Sequence, residues 1–129
     1  MAIKHAINVI RHVVHQTSSK RKRNPKWDSA RDDYLKSHSI CAACGSTTKL
    51  NVHHKKPFHL YPELELDPAN FITLCMSNDC HLLIGHGDDF KAYNPDVTPD
   101  AAIVANDKEN LPAVLKEVSL QAKQKRVYE

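Results

Sequence analysis

The sequence predicts an α+β fold: two short strands and the start of a helix closed around a four-cysteine staple, with flanking helices at both termini. Three observations predict it. The cysteines fall in two close pairs, Cys41-x2-Cys44 and Cys75-x4-Cys80, separated by 30 residues. A short alternating segment follows the first pair, and a second short strand ends at the second pair. Both ends of the chain carry apolar residues at helical spacing. The division that follows is an N-terminal amphipathic helix and basic linker over 1–26, a central domain over 27–97, and a C-terminal helical extension over 98–129.

Taken in order, Ile3, Ala6, Ile7, Ile10, Val13 and Val14 recur at helical spacing, so residues 3–16 read as a helix with Lys4, Asn8, Arg11 and His15 on its polar side. Residues 17–26 are polar and basic and contain Asn24-Pro25, the composition of a linker. A second helix is expected from about Asp28, as N-cap, to Ser37, with Trp27, Ala30, Tyr34 and Leu35 toward the core. Cys41 to Cys44 forms a tight turn with Gly45. Lys49 to His53 alternates polar and apolar and suits a strand. Residues 55–69 hold Pro57, Pro62 and Pro68 and read as loop, and Phe71 to Cys75 is a second strand. Cys80 to Gly85 begins a helix that Gly85 and Gly87 end early, and 88–96 is loop. Thr98-Pro99-Asp100 reads as a helix start with Thr98 as N-cap and Pro99 at the first helical position. Asn110-Leu111-Pro112 opens a last helix with Leu111, Val114, Leu115 and Val118 on one face. Its basic end, 123–126, complements the helix dipole.

The 129 residues suffice for one domain with extensions and a modest core. No apolar run approaches a membrane span, and Lys4, His5, Asn8, Arg11 and His12 interrupt any secretory h-region, so the expected location is the cytoplasm, without membrane contact. A net charge of +3 conceals an asymmetry: residues 1–56 hold 12 Lys/Arg against 3 Asp/Glu, and residues 57–129 hold 6 against 12. The basic half includes Lys20-Arg21-Lys22-Arg23, a cluster suited to a polyanion such as nucleic acid; the same cluster also reads as a solvated linker.

Four cysteines in two close pairs can place four thiolates around one ion, the closed tetrahedral arrangement of structural zinc. The x4 spacing of the second pair requires a bulge, which Ser77 to Asp79 supplies. Two disulfides are disfavoured in a reducing compartment. A redox Cys-x-x-Cys belongs to a thioredoxin-like unit, of which there is no sign.

Five of the nine histidines, His53, His54, His59, His81 and His86, lie between Cys41 and His86. With the cysteines closing one metal site, these remain for other chemistry. The staple draws the two strands and the helix start together and so brings His53-His54 near His81. Adjacent strand residues face opposite ways, so one histidine can coordinate an ion while the other faces water. A neutral imidazole, with an ordinary pKa of ~6.5, suits a general base. Imidazoles also suit Mn, Ni, Co or Zn as a divalent ion, whereas Mg prefers oxygen. Phosphodiester hydrolysis needs such a base together with a cation.

The pattern resembles the HNH endonuclease family in its zinc-binding, four-cysteine subgroup. The resemblance rests on Cys-Ala-Ala-Cys-Gly (41–45), Leu-Asn-Val-His-His-Lys-Lys-Pro (50–57), Asp-Pro-Ala-Asn-Phe-Ile-Thr-Leu-Cys (67–75) and Cys-His-Leu-Leu-Ile-Gly-His-Gly (80–87). It implies a ββα-metal (His-Me finger) core and a metal-dependent DNA endonuclease. His54 is then the general base, His53 and His81 ligands of the catalytic divalent ion, and Asn70 the middle residue of the family name, orienting the loop of the base or touching the metal. Cys41, Cys44, Cys75 and Cys80 hold structural zinc. Colicin-type members carry a further histidine one helical turn after the last; here the spacing is five with Gly85 intervening, which leaves His86 as a third ligand, a phosphate contact, or neither. His59 matches no family position. The resemblance further implies docking on the minor groove, one divalent ion (Mg2+, Mn2+, Ni2+, Co2+ or Zn2+), and products with 5′-phosphate and 3′-hydroxyl ends.

Lys20, Arg21, Lys22, Arg23, Lys55 and Lys56 are the candidate DNA-backbone contacts. Residues 80–97 also resemble small stand-alone phage and bacterial members, some of which act beside phage DNA-packaging proteins. A non-catalytic zinc module binding DNA or a protein is the rival reading. It accounts for the cysteines and the basic segment but leaves His53, His54, Asn70 and His81 unexplained.

Overall fold

A computed structural model of the chain describes residues 22–129. The helix expected over 3–16, and Lys20 and Arg21, lie outside the described residues. Helix α1 spans Trp27–Ser37, strand β1 Leu50–His54 and strand β2 Phe71–Cys75; a single π-helical turn covers His81–Gly85. A short strand β3, Ala92–Tyr93, precedes helices α2, Val97–Ala105, and α3, Leu111–Lys125, and strand β4, Val127–Tyr128, follows. The architecture is the α+β arrangement expected, a ββα-metal core with helices packed around it.

β1 and β2 pair antiparallel, with Leu50 opposite Cys75 and His54 opposite Phe71. All of β2 is buried, because both faces of this hairpin are covered. On one face Trp27, Val52 and Phe71 form a small cluster with Ala30, Tyr34 and Leu35 of α1. The Tyr34 hydroxyl donates to the Phe71 carbonyl at 3.1 Å, tying α1 to the hairpin. On the other face Ile72 and Leu74 join Ile84, the cysteines, Val97, Ala101 and Val104 of α2, and Leu115 and Val118 of α3 in one continuous core. The cysteine staple and the C-terminal helices therefore share a single apolar interior.

Several local expectations shift by a residue or two. α1 is entered from Lys26 rather than Asp28; the Asn24 side chain accepts the Lys26 N–H at 2.9 Å, and Asp28 falls in the first turn instead. α2 is entered from Asp96 rather than Thr98. The first strand runs Leu50–His54, one residue later than its alternation suggested, because Lys49 adopts φ +52° and cannot continue it. The loop of 88–96 contains β3, which pairs with β4 through Ala92–Tyr128 and Tyr93–Val127. A two-residue pairing leaves no readable alternation. α3 buries Leu115 and Val118, with Leu111 and Val114 packed beside them, as its spacing predicted. Among the described residues no helix is long and apolar enough to cross a membrane.

Candidate functional site

Two groups of potential metal ligands flank the hairpin. The first is Cys41, Cys44, Cys75 and Cys80, whose sulfur atoms all lie within 4.8 Å of one another. The Cys44 and Cys75 sulfurs are 3.4 Å apart. That is far beyond a disulfide bond and close to the ~3.8 Å edge of four sulfurs placed ~2.3 Å from one ion. The turn at the first pair works because Gly45 adopts φ +81° and its N–H donates to the Cys41 carbonyl at 3.0 Å. The bulge at the second pair falls where the x4 spacing requires it: Asp79 adopts φ +59°, and Asn78 donates its backbone N–H to the Cys75 sulfur and its side-chain amide to the Cys44 sulfur. The thiols shift in opposite directions. Hydrogen bonding from Cys80, outweighing burial, draws Cys41 down to about 4, while Cys41 and burial push Cys80 far up. Four clustered sulfurs, three of them on buried cysteines, cannot all be thiolates without a cation among them, so this group could hold a metal ion.

The second group is His53, His81 and His86. His81 Nε2 lies 3.1 Å from His53 Nδ1 and 3.2 Å from His86 Nε2. Nitrogens ~2.0–2.1 Å from a common ion stand ~3.0–3.4 Å apart, so three lone pairs converge at ligand spacing. The other ring atoms explain why. His81 Nδ1 donates to the Asn51 side-chain oxygen at 3.3 Å, and His86 Nδ1 to the Ala92 carbonyl at 2.7 Å. Each acceptor fixes the tautomer that turns the Nε2 lone pair inward. His53 is buried, and among the described residues its Nε2 has no hydrogen-bond partner. Desolvation shifts all three rings toward the neutral, metal-binding form; neighbouring imidazoles add to it at His53 and at His81, which is drawn down to about 4, while the Ala92 carbonyl and Asp89 partly offset it at His86. The donor set fits a divalent ion.

The π-turn reconciles His86 with its spacing of five. In an α-helix, residues five apart lie on different faces; a π-turn closes on i→i+5, and here the His86 N–H donates to the His81 carbonyl at 3.1 Å. The widened turn frees carbonyls that need partners. Buried Asn94 supplies them: its N–H donates to Gly85, and its amide donates to Ile84 at 3.0 Å and to Asp100 at 2.7 Å. Asp100 in turn takes Lys125 of α3. Gly85 sits in a tight space against His53 and Leu74. A Cβ there would stand 3.1 Å from the His53 ring and from Leu74. Gly85→Ala is expected to leave the fold intact but push His53 off its lone-pair direction, lowering divalent-metal affinity ~10–100-fold, the usual effect of disturbing a ligand's support. Cobalt titration followed by visible absorption checks this; unchanged affinity refutes it.

His54 follows His53 but faces the other way, as strand geometry demands. Its ring lies between Trp27, at 4.5 Å, and Phe71, edge-on at 5.3 Å. Its Nε2 bonds the Glu65 carbonyl at 2.8 Å. A carbonyl only accepts, so Nε2 carries the proton and Nδ1 carries the lone pair. Burial lowers the pKa of His54, more than the Glu65 contact raises it. Asn70 holds the loop behind it: its side chain accepts the Lys56 N–H at 2.9 Å and donates to the Lys56 carbonyl at 3.0 Å and toward Leu64. Both side-chain polar atoms of Asn70 are thus engaged with the loop between His54 and Glu65, and none of these bonds reaches the histidine cluster.

Both faces of the strand end open on one cleft of about 210 Å³, lined by His53, His54, His81 and His86 together with residues that sequence reasoning did not place: His59, Phe90, Tyr93 and Glu129. Of the candidate backbone contacts among the described residues, Arg23 lines it. Its guanidinium lies 4.0 Å over Phe58 and 5.0 Å over Trp27, and 3.6 Å from the nearly buried Glu65 carboxylate. Lys22 and Lys56 are exposed outside the cleft, and Lys55 is half-buried. His59 was legible only as an unassigned histidine. Tyr93 carries no local signal because the β3–β4 pairing places it, and Phe90 because the hydrogen-bonded turn before β3 does.

Residues 41–87 match the family model described as HNH endonuclease. No curated protein and no solved structure matches the chain.

Proposed function

We propose that the HNH endonuclease match over residues 41–87 marks this chain as a metal-dependent DNA endonuclease that hydrolyses phosphodiester bonds. The observation that carries the reading is the joint presence, on opposite faces of one strand end, of a converging His53–His81–His86 ligand set and a separately held neutral imidazole, His54, opening on one cleft. A divalent ion held by the three histidines would supply positive charge to the phosphate and the leaving 3′ oxygen. The chain's own residues do the rest. His54 Nδ1 takes a proton from water, while the Glu65 carbonyl and the Trp27 and Phe71 rings keep its lone pair aimed. Asn70 acts as a positioning residue for the loop that carries Glu65. Arg23, stacked and ion-paired beside the base, offers a preset cation to a phosphate oxygen. The expected products carry 5′-phosphate and 3′-hydroxyl ends. Zinc is the ion proposed for the four cysteines, since soft thiolates in a closed tetrahedral set select it.

Lys20, Arg21, Lys22, Lys55 and Lys56 complete the proposed contact to DNA, fixing position without reading bases. Binding should therefore weaken steeply with salt, and Arg23→Gln should reduce the slope of log K against log salt by about 1; a slope equal to that of the parent chain counts against a phosphate contact. A role in phage DNA processing, beside packaging proteins in the cytoplasm of a bacterial host, is supported by the resemblance of residues 80–97 alone. Plasmid cleavage across a metal panel, parent against His54→Ala, tests the central reading. Binding without turnover under every metal would favour the non-catalytic zinc module.

A further inference from the structure

Phe90 stands at the rim of the cleft with half of its surface, 52%, exposed. Its ring lies 5.0 Å from that of His86 and 5.9 Å from that of His81. The turn that presents it is firmly built. Gly87 and Asp88 adopt φ +58° and +69°, and the Asp88 N–H donates to the Leu82 carbonyl at 2.9 Å. The Asp89 N–H donates to His86, the Asp89 carboxylate accepts the Lys91 N–H at 2.9 Å, and the Asp89 carbonyl accepts the Ala92 N–H at 2.9 Å. Gly87 is closed in from behind by α3: Arg126 donates to its carbonyl at 2.8 Å, and a Cβ there would meet the Ala122 carbonyl at 2.9 Å.

A turn held by this many bonds fixes the backbone that carries the ring before any ligand arrives. The ring packs against His81 and His86 at interplanar angles of 79° and 58°, and half of the residue's surface meets water. Across the same cleft stands Arg23, a cation for phosphate. A cation and a half-exposed aromatic ring on a fixed turn, lining one cleft, are the two elements that single-stranded nucleic-acid sites combine. In continuous duplex every base face is already covered by its neighbours, and freeing one costs a few kcal/mol. An unpaired nucleotide offers its face without that cost.

Building on the nuclease reading of this cleft, we infer that Phe90 is a stacking platform for a nucleobase beside the scissile phosphate, which directs the enzyme toward DNA containing unpaired nucleotides. The test uses two oligonucleotides of one sequence, a continuous duplex and a duplex with a short unpaired bubble carrying 2-aminopurine. Cleavage is measured for the parent chain, Phe90→Ala, Phe90→Trp and Ile103→Ala; Ile103, on α2, is as exposed as Phe90 but does not line the cleft. Binding is read as 2-aminopurine quenching in the His54→Ala background, where the strand stays intact.

Phe90→Ala is expected to weaken bubble binding about 5- to 100-fold, the range of one lost base–aromatic stack, and duplex binding by less. Phe90→Trp restores quenching, and Ile103→Ala changes neither substrate. Equal losses on both DNAs with weakened cobalt binding would show that Phe90 merely props the histidines, and no loss at all would equally overturn the platform. Phe90-dependent quenching by a chain that cuts neither DNA under any metal sustains the platform and removes the nuclease reading. Cleavage that is indifferent to Phe90 does the reverse.

Discussion

Replacing His54 with alanine is expected to lower the rate of metal-dependent plasmid cleavage about 10²- to 10⁴-fold, the contribution of a positioned general base, while leaving both metal sites loaded. The reason for the separation is geometric. His54 points to the Trp27–Phe71 face, and the ligand set lies on the other face of β1. Removing the ring leaves a gap between two aromatics at a site already at the cleft, at a cost of about 2–4 kcal/mol on the scale of buried truncations. That lies within the ~5–15 kcal/mol stability of an ordinary domain. Trp27 is the chain's single tryptophan and rests directly on His54, so its emission reports any collapse of the pocket. Native far-UV dichroism and unchanged metal content with abolished cleavage is the expected pattern. Parent-like cleavage by this variant would remove His54 from the chemistry, and loss of metal together with cleavage would show that the two faces are not independent.

The second large effect concerns the cysteines. Cys75→Ser, or stripping the metal with a chelator, is expected to unfold the described chain as a whole, α2 and α3 included. Structural zinc sites contribute apparent free energies of ~10–16 kcal/mol at neutral pH. That equals or exceeds the net stability of a domain this size, so its loss cannot be absorbed. Nor can it be confined, because Cys41, Cys75 and Cys80 lie in the same apolar cluster as Val97, Ala101, Val104, Leu115 and Val118. Helical dichroism and Trp27 emission should fall together in one transition and return on adding zinc. Separate melting of the C-terminal helices, or a native spectrum without metal, contradicts this.

The central part of the fold was legible because its signals are local and chemical. Cysteine spacing located the staple, alternation located β1, β2 was read as a short strand ending at Cys75, and helical spacing located the face of α3. What the sequence concealed depends on partners far along the chain. β3 and β4 are two residues each, and only their mutual pairing makes them strands. Asn94 looks like a turn residue until Ile84, Gly85 and Asp100 are seen around it. The basic cluster of 20–23 suggested a uniform charged linker, whereas Arg23 is distinguished from Lys22 by Phe58, Trp27 and Glu65, none of which is its neighbour in sequence. At the site, residue chemistry singled out His53, His54 and His81, while the walls of the cleft came from topology.

The π-turn at His81–Gly85 has a consequence for how such sites are recognised across sequences. A π-turn is geometrically an α-helical turn that has absorbed one extra residue. In alignment terms it is an insertion without a gap character: His81 and His86 are equivalent in space to a pair spaced by four, yet no fixed-spacing pattern of that kind will match them. A search that insists on the shorter spacing will discard chains with this ligand set, or match the wrong histidine. Allowing a one-residue slip wherever a glycine precedes the last histidine and a polar side chain such as Asn94 can cap the freed carbonyls would recover them.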